Sequence, residues 1–271
     1  TWWTQYDYDT TLLMANFPVY PLNDNVGASY KGVEQVCQNN PFVLHNKQLW
    51  QFVASNVRDE RNVDYLSERV QPLLDQLDFT NVRTIDYEKY GEYWIILDNR
   101  AYIYSYRTGV WFYYYFADTI TTAIVKEDKV VLGTSGGDLM EMDGALDDNG
   151  TLINAFAETG WIDYGYSAMR KFLNFMWVQI FPESDTSAEI YYQIDRGALR
   201  LVKEIQYKNI DFEDIDFADF SFATNYNPKS FRLKPKAKKF VYIKFSFINN
   251  KRNRLTLLGL TAPSLLGGQS K

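Results

Sequence analysis

Apolar and polar residues alternate with period two at three places in the first half of the chain, and each run is broken by a turn and then resumed. The first copy is Phe42-Val-Leu-His-Asn-Lys-Gln-Leu-Trp50-Gln-Phe52. The second is Tyr93-Trp-Ile-Ile-Leu-Asp98-Asn99-Arg-Ala-Tyr102-Ile-Tyr104. The third is Val130-Val-Leu-Gly-Thr-Ser-Gly136-Gly137-Asp-Leu139-Met-Glu-Met142. Alternation that reverses at Asn, Asp or Gly predicts a β-hairpin in each copy. The turn centres lie about 53 and 37 residues apart, bracketing the spacing of propeller blades. Residues 1–146 are therefore expected to form propeller-like β-blades. Three blades do not close a ring, because rings have four or more. A further blade is expected either within residues 1–40 or from upstream sequence. The chain starts at Thr1 rather than Met and reads as a fragment or a processed product.

The other signals modify this frame. Positions 66, 70, 73, 74 and 77 are apolar at helical spacing, which predicts a short helical insertion near 62–77, shortened by Pro72. The block Trp111-Phe-Tyr-Tyr-Tyr-Phe116 carries aromatic rings on both faces of a strand. That requires burial on both sides, or one face turned to a partner. After the acidic, Gly-containing stretch Met142–Gly150 the hairpin repeat stops. Longer strands are expected at 152–162, 172–181, 189–194, 199–207, 240–248 and 255–261. Residues 147–271 then read as a β-sandwich, jelly-roll-like in its strand lengths. Alternation in Val241–Phe247 puts one face in a core, and the same parity turns Arg232, Lys234, Lys236 and Lys238 outward, with Pro235 breaking the strand. The tail 262–271 is expected to be loose.

Charge is segregated along the chain. No acidic residue follows Asp219, and that segment holds 11 of the 28 basic residues, leaving 17 basic against 34 acidic before it. With a net formal charge of −6, the chain has no global reason to bind nucleic acid. Three readings of the basic end stay open. It docks a neighbouring copy head to tail, it meets the acidic stretch Asp211–Asp216 of its own chain, or it is a solvated strand face. Aromatic residues make up 17% of the chain, which suits cross-strand pairs in a β core or exposed rings at a binding surface. No apolar run approaches the ~20 residues that span a bilayer. The start of the chain has neither the basic nor the apolar region of a signal peptide.

Candidate chemistry is sparse. His45 is the sole histidine, so a triad must use it and a multi-His metal site is excluded within one copy. Cys37, the sole cysteine, allows no intrachain disulfide; it lies eight residues from His45 and reads as a buried structural thiol rather than a nucleophile. Asp143, Asp147, Asp148 and Asn149 offer oxygen ligands for calcium but miss the EF-hand pattern. Gly133–Asp138 lacks the Gly-Lys-Ser/Thr ending of a phosphate loop and reads as a hairpin turn. No cofactor is implied.

A looser grammar runs through most of the chain. It comprises Pro41-Phe-Val-Leu…Trp50, Asp59-Glu-Arg61…Ser67-Glu-Arg-Val70, and Glu92-Tyr-Trp94…Tyr102-Ile-Tyr-Ser-Tyr106-Arg-Thr-Gly-Val-Trp111. It continues with Gly133-Thr-Ser-Gly-Gly-Asp-Leu, Asp147-Asp-Asn-Gly150, Arg170-Lys171 and Tyr192-Gln-Ile-Asp195-Arg196. This resembles virion structural proteins of tailed bacteriophages, in particular the head-to-tail nozzle group that includes tail tubular protein B and the packaged-DNA stabilisation proteins. Members of that group are much longer than this chain. The resemblance implies a non-enzymatic part of a ring homo-oligomer around the DNA exit channel, built in the bacterial host cytoplasm. Portal or adaptor and tail proteins would be its neighbours, and no membrane is involved. DNA would pass without specific binding, since an acidic lumen repels its backbone. Arg232, Lys234, Lys236 and Lys238 would then dock a neighbouring subunit. A glycan-binding adhesin module, motivated by the aromatic surplus, is the alternative. A propeller-fold glycosidase, motivated by abundant acids, is the second alternative.

Overall fold

A computed structural model describes residues 2–4, 7–9, 14–16, 19–21, 23–53, 62–142, 147–148, 150–182, 186–207, 228–250 and 255–269. The protein is all-β and divides into two compact units, Thr1–Gly144 and Ala145–Lys271.

The first unit opens with four short strands, β1 (Trp2–Thr4), β2 (Asp7–Asp9), β3 (Met14–Asn16) and β4 (Val19–Pro21), in which β1 pairs with β4 and β2 with β3. Three antiparallel meanders follow. Blade A comprises β5 (Gln35–Cys37), β6 (Asn40–His45), β7 (Gln48–Phe52) and β8 (Val63–Tyr65). After one turn of helix, α1 (Gln71–Leu74), blade B comprises β9 (Arg83–Tyr87), β10 (Glu92–Leu97), β11 (Arg100–Ser105) and β12 (Val110–Tyr115). Blade C comprises β13 (Ile120–Lys126), β14 (Lys129–Thr134) and β15 (Leu139–Met142). The first strand of blade B packs beside the first strands of both A and C, as in a propeller.

Tight turns set the registers. The residue pairs Gln38-Asn39, Asn46-Lys47 and Glu127-Asp128 all have positive φ, the conformation of two-residue type I′ loops. Blade B is buried on both faces. Tyr93, Ile95 and Leu97 join Phe42, Leu44 and Leu49 in a core shared with blade A. Trp94 and Ile96 join Val130 and Leu132 in a core shared with blade C. The unbroken apolar run of β10 is therefore two alternating faces read together. Polar ends of the rings tie the blades. Tyr93 Oη donates to the Val33 carbonyl (2.8 Å), Trp111 Nε1 to the Leu66 carbonyl (3.2 Å) and Tyr87 Oη to the Asp128 carbonyl (3.0 Å).

Two expectations for this unit need correction. The helical insertion near 62–77 is a single turn, and Val63–Tyr65 is the outer strand of blade A. Pro72 sits in the first turn of α1, which stops after Leu74. The apolar positions behind the expectation do face the core: Leu74 is buried, and Leu66, Val70 and Leu77 pack around it from turns. Of the two alternatives for the aromatic block Trp111–Phe116, burial on both sides is excluded: β12 forms the outer edge of blade B with Tyr113, Tyr114 and Tyr115 exposed, and Phe116 beyond it is buried.

The second unit starts with the hairpin β16 (Asp147–Asp148) and β17 (Thr151–Leu152) and then builds a sandwich. Its strands are β18 (Ala155–Glu158), β19 (Met169–Leu173), β20 (Met176–Pro182), β21 (Thr186–Ile194) and β22 (Arg200–Tyr207). They continue with β23 (Lys229–Leu233), β24 (Ala237–Phe240), β25 (Ile243–Asn249), β26 (Leu255–Thr261) and β27 (Leu265–Gln269). One sheet has the order β18-β25-β21-β22. The other consists of two three-stranded ladders, β24-β19-β27 and β23-β20-β26, which continue one another. All three of its strands break at one level, at 174–175, 234–236 and 262–264. Pro235 and Pro263 fall at these breaks, where a missing N–H costs no ladder bond. Val178, Ile180, Leu233 and Phe240 from the bent sheet meet Ile190, Tyr192, Ile243 and Phe245 from the other in one core.

The strand ends expected from sequence shift accordingly. The 152–162 segment holds the end of β17, β18 and an isolated bridge from Ile162 to Ile243. The 172–181 and 240–248 segments are each divided by a break. The tail is not loose, because β27 pairs with β19.

Lys171 is fully buried in β19 opposite Phe240, and its ammonium donates to the carbonyls of Tyr166, Met169 and Val241. Beside it, the Asp195 carboxylate accepts from the amides of Val241 (2.9 Å) and Tyr242 (2.8 Å), closing the gap between β24 and β25.

Candidate functional site

The expected docking residues form one exposed row. Phe231, Leu233, Pro235 and Ala237 point inward while Arg232, Lys234, Lys236 and Lys238 are exposed. The period-two pattern thus survives the break at Pro235, and Lys236 takes a left-handed conformation there (φ 56). The Arg232 guanidinium lies 4.7 Å from the centre of the Phe175 ring, which in turn meets Trp177 edge-on. That contact fixes one end of the row by cation–π attraction. Among the described residues Lys234, Lys236 and Lys238 form no ion pair. The acidic stretch Asp211–Asp216 lies outside the described residues.

A second exposed surface lies on blade B. Cross-strand pairing stacks Tyr104 with Trp111, Tyr102 with Tyr113 and Arg100 with Tyr115 on one face. Ring centroids are 5.2 Å apart in the first pair and 6.4 Å in the second, and the Arg100 guanidinium lies 5.6 Å from the Tyr115 ring centre. The ladder is buried at Trp111's end and open at Tyr115's, so the aromatic surplus serves both core and surface.

Among the described residues, the groups with potential for catalysis do not converge. Cys37 is buried at the start of blade A, and burial together with the nearby Asp86 carboxyl pushes its thiol up, away from the thiolate. His45 is at the other end of β6 from the residue paired with Cys37, roughly 17 Å along the strand at standard rise. Its Nδ1 is 2.9 Å from the Gly27 carbonyl oxygen, which makes it a loop anchor.

Asp86 and Glu92 are half-buried carboxyls that desolvation shifts upward. Tyr106 Oη donates to Asp86 (3.0 Å) on the blade A side, and Trp94 Nε1 donates to Glu92 (2.9 Å) on the blade C side. The register pairs Asp86 with Tyr93 and Glu92 with Tyr87, so the two acids point to opposite faces of the sheet. They cannot flank one glycosidic bond. The Cys37–Asp86–Tyr106 cluster gave no signal in the sequence, because its members come from three separate elements.

Of the candidate calcium ligands, Asp143 and Asn149 lie outside the described residues, and Asp147 accepts from the Gly150 amide within its hairpin (3.1 Å). Among the described residues no three His, Cys, Asp or Glu side chains are grouped to hold a metal. The Gly133–Asp138 stretch closes the β14–β15 hairpin, with the Thr134 amide donating to the Asp138 carbonyl (2.9 Å). A hollow of about 470 Å³ is lined by Tyr30, Lys31, Gly32, Thr80, Val82 and Arg83. Arg83 is committed to the carbonyls of Asn81, Val82 and Thr121, and no acid lines the hollow. No helix is long and apolar enough to cross a membrane among the described residues.

No protein-family model and no curated protein matches the chain. Among solved structures, a glycoside hydrolase family 43 arabinoxylan arabinofuranohydrolase from Bacillus subtilis, in complex with cellotetraose, aligns over 90% of this chain and 70% of its own. The identity is 8% and the TM-score 0.22. At that TM-score the likeness establishes neither a shared fold nor a shared activity.

Proposed function

We propose that the chain is a non-enzymatic structural component of a tailed-phage virion, part of the ring at the head-to-tail junction. The observation that carries this reading is the exposed row Arg232, Lys234, Lys236 and Lys238, standing in a chain that is otherwise strongly acidic. A row of like charges without ion pairs among the described residues is complementary to the acidic surface of another copy, and such complementarity sets register between subunits. The phage-like sequence grammar supports the virion setting. In that setting the row docks one subunit on the next, portal or adaptor and tail proteins contact the ring, and DNA passes without specific binding. The test is solution mass by light scattering at low and high salt. The intact chain forms a closed oligomer, and the triple substitution Lys234→Glu, Lys236→Glu, Lys238→Glu lowers its mass. An oligomer mass unchanged by that substitution refutes the docking role.

A glycan-binding module is the second reading, favoured by the exposed rings of Tyr113 and Tyr115 beside Arg100. It predicts glycan-array signals that Tyr115→Ala removes. A silent array refutes it.

A further inference from the structure

The three blades end in very different outer strands. The outer strand of blade A, β8, has three residues with the exposed charge of Asp64 at its centre. That of blade C, β15, has four residues and carries exposed Glu141. Short length and charge are the usual guards of a sheet edge against pairing with another strand. The outer strand of blade B has neither. It runs Val110-Trp-Phe-Tyr-Tyr-Tyr115 without charge, proline or glycine, and it pairs with β11 in unbroken register over all six residues. It has one hydrogen-bonded neighbour strand among the described residues. Val110 is 53% exposed, Tyr113 57% and Tyr115 62%. A six-residue uncharged edge of high β propensity with exposed rings is a template for strand addition.

We propose that this edge is a self-association site, at which β12 of one copy pairs antiparallel with β12 of a second copy across a twofold axis. The axis must stand perpendicular to the sheet, so residues that share a face stay on it, and the pairing is centred on a residue rather than between two. Centred on Tyr113, the register sets Tyr113 opposite Tyr113 of the second copy. Trp111 then faces Tyr115 of the second copy, and Phe112 faces Tyr114 of the second copy. Every cross-strand pair from 111 to 115 is aromatic on aromatic, a favoured pairing in antiparallel sheets. With no charged side chain in the strand, identical edges do not repel. Blade B becomes the half of an eight-stranded sheet. The site is separate from the basic row and does not rest on the virion reading.

The experiment is sedimentation velocity on the full chain over concentrations up to on the order of 100 µM, the range expected for a small interface. Concentration-dependent pairing is expected, doubling the mass of whichever species, single chain or basic-row oligomer, is present at the lowest concentration. Tyr113→Lys puts two ammonium groups face to face at the axis and should shift the dimer to monomer by at least tenfold in dissociation constant. Tyr113→Phe should leave it intact. Mixing Tyr113→Lys with Tyr113→Glu should restore a heterodimer. Circular dichroism checks that each variant is folded. Amide hydrogen exchange on the unaltered chain gives a second readout, with protection of Val110–Tyr115 rising with concentration. A monomer throughout the range overturns the proposal. So does a dimer that Tyr113→Lys leaves unchanged, or concentration-dependent protection confined to the leucine-rich strands β26 and β27. An oligomer that responds to the lysine-row substitution and not to Tyr113→Lys also overturns it, while leaving the basic-row reading in place.

Discussion

Replacing Lys171 with methionine tests how the segment entering β19 is tied to the β24–β25 connection. Methionine keeps most of the side-chain volume and removes the ammonium that donates to Tyr166, Met169 and Val241. Each charge-assisted bond contributes ~1.5–3 kcal/mol in the native state. Desolvating the ammonium costs several kcal/mol, so the ion itself adds little net stability. The loss on substitution therefore comes from the acceptors left behind. Tyr166 is an exposed residue, so water can reach its carbonyl, whereas Met169 and Val241 are only partly exposed. Two carbonyls short of a donor, at ~1–3 kcal/mol each with partial relief from water, give a destabilisation of about 2–4 kcal/mol. Urea unfolding followed by tryptophan fluorescence reads this, because Trp161 and Trp177 lie in the second unit. Seven tryptophans and two units require that the transition of the second unit be resolved from that of the first. A variant within about 0.5 kcal/mol of the parent, or more stable than it, would refute the reasoning, because the carbonyls left behind would then carry no cost.

Glu158 accepts from Lys244 (2.9 Å) and Ser246 (2.7 Å), and these contacts lower its pKa. Its contribution is present above the ordinary glutamate range and is lost as pH falls through the folded-state value. Glu158→Gln should cost about 0.5–1 kcal/mol near neutrality, a partly exposed pair being screened, with the difference from the parent fading in acid urea melts. Asp86 has the opposite sign. Burial raises it, so its favourable contribution is present in acid and lost as pH rises through the folded-state value. Asp86→Asn should match or exceed the parent's stability at pH 7 and fall behind relative to it at low pH; a clear loss at pH 7 would refute the assignment. Cys37 should resist a maleimide in the folded chain and react fully in denaturant, since it is buried and its thiolate disfavoured. Rapid labelling without unfolding would contradict its placement.

The sequence was most legible where one residue's neighbours decide its fate. The alternation at 231–238 predicted the outward row because a strand has only two faces. The run Tyr93–Leu97 predicted a strand, but its division between two cores depends on blades A and C, which local pattern does not report. Gln38-Asn39 and Glu127-Asp128 escaped notice as turns because neither pair contains glycine. The helix over 62–77 was over-read because core-facing residues in successive turns mimic helical spacing. β27 was missed because Pro263, Ser264 and two glycines give it a loop's composition, while its pairing with β19 lies almost a hundred residues away. Lys171 and the Asp86 cluster were illegible for the same reason: their partners come from distant segments and include backbone atoms, which carry no residue identity.

The two-sided burial of β10 means that neighbouring residues answer to different parts of the molecule. A truncation at Ile95 loosens the seam between blades A and B, and one at Ile96 loosens the seam between B and C. Each seam can thus drift in composition without forcing change in the other. In β10 this is a parity code, in which sequence position modulo two selects the neighbour.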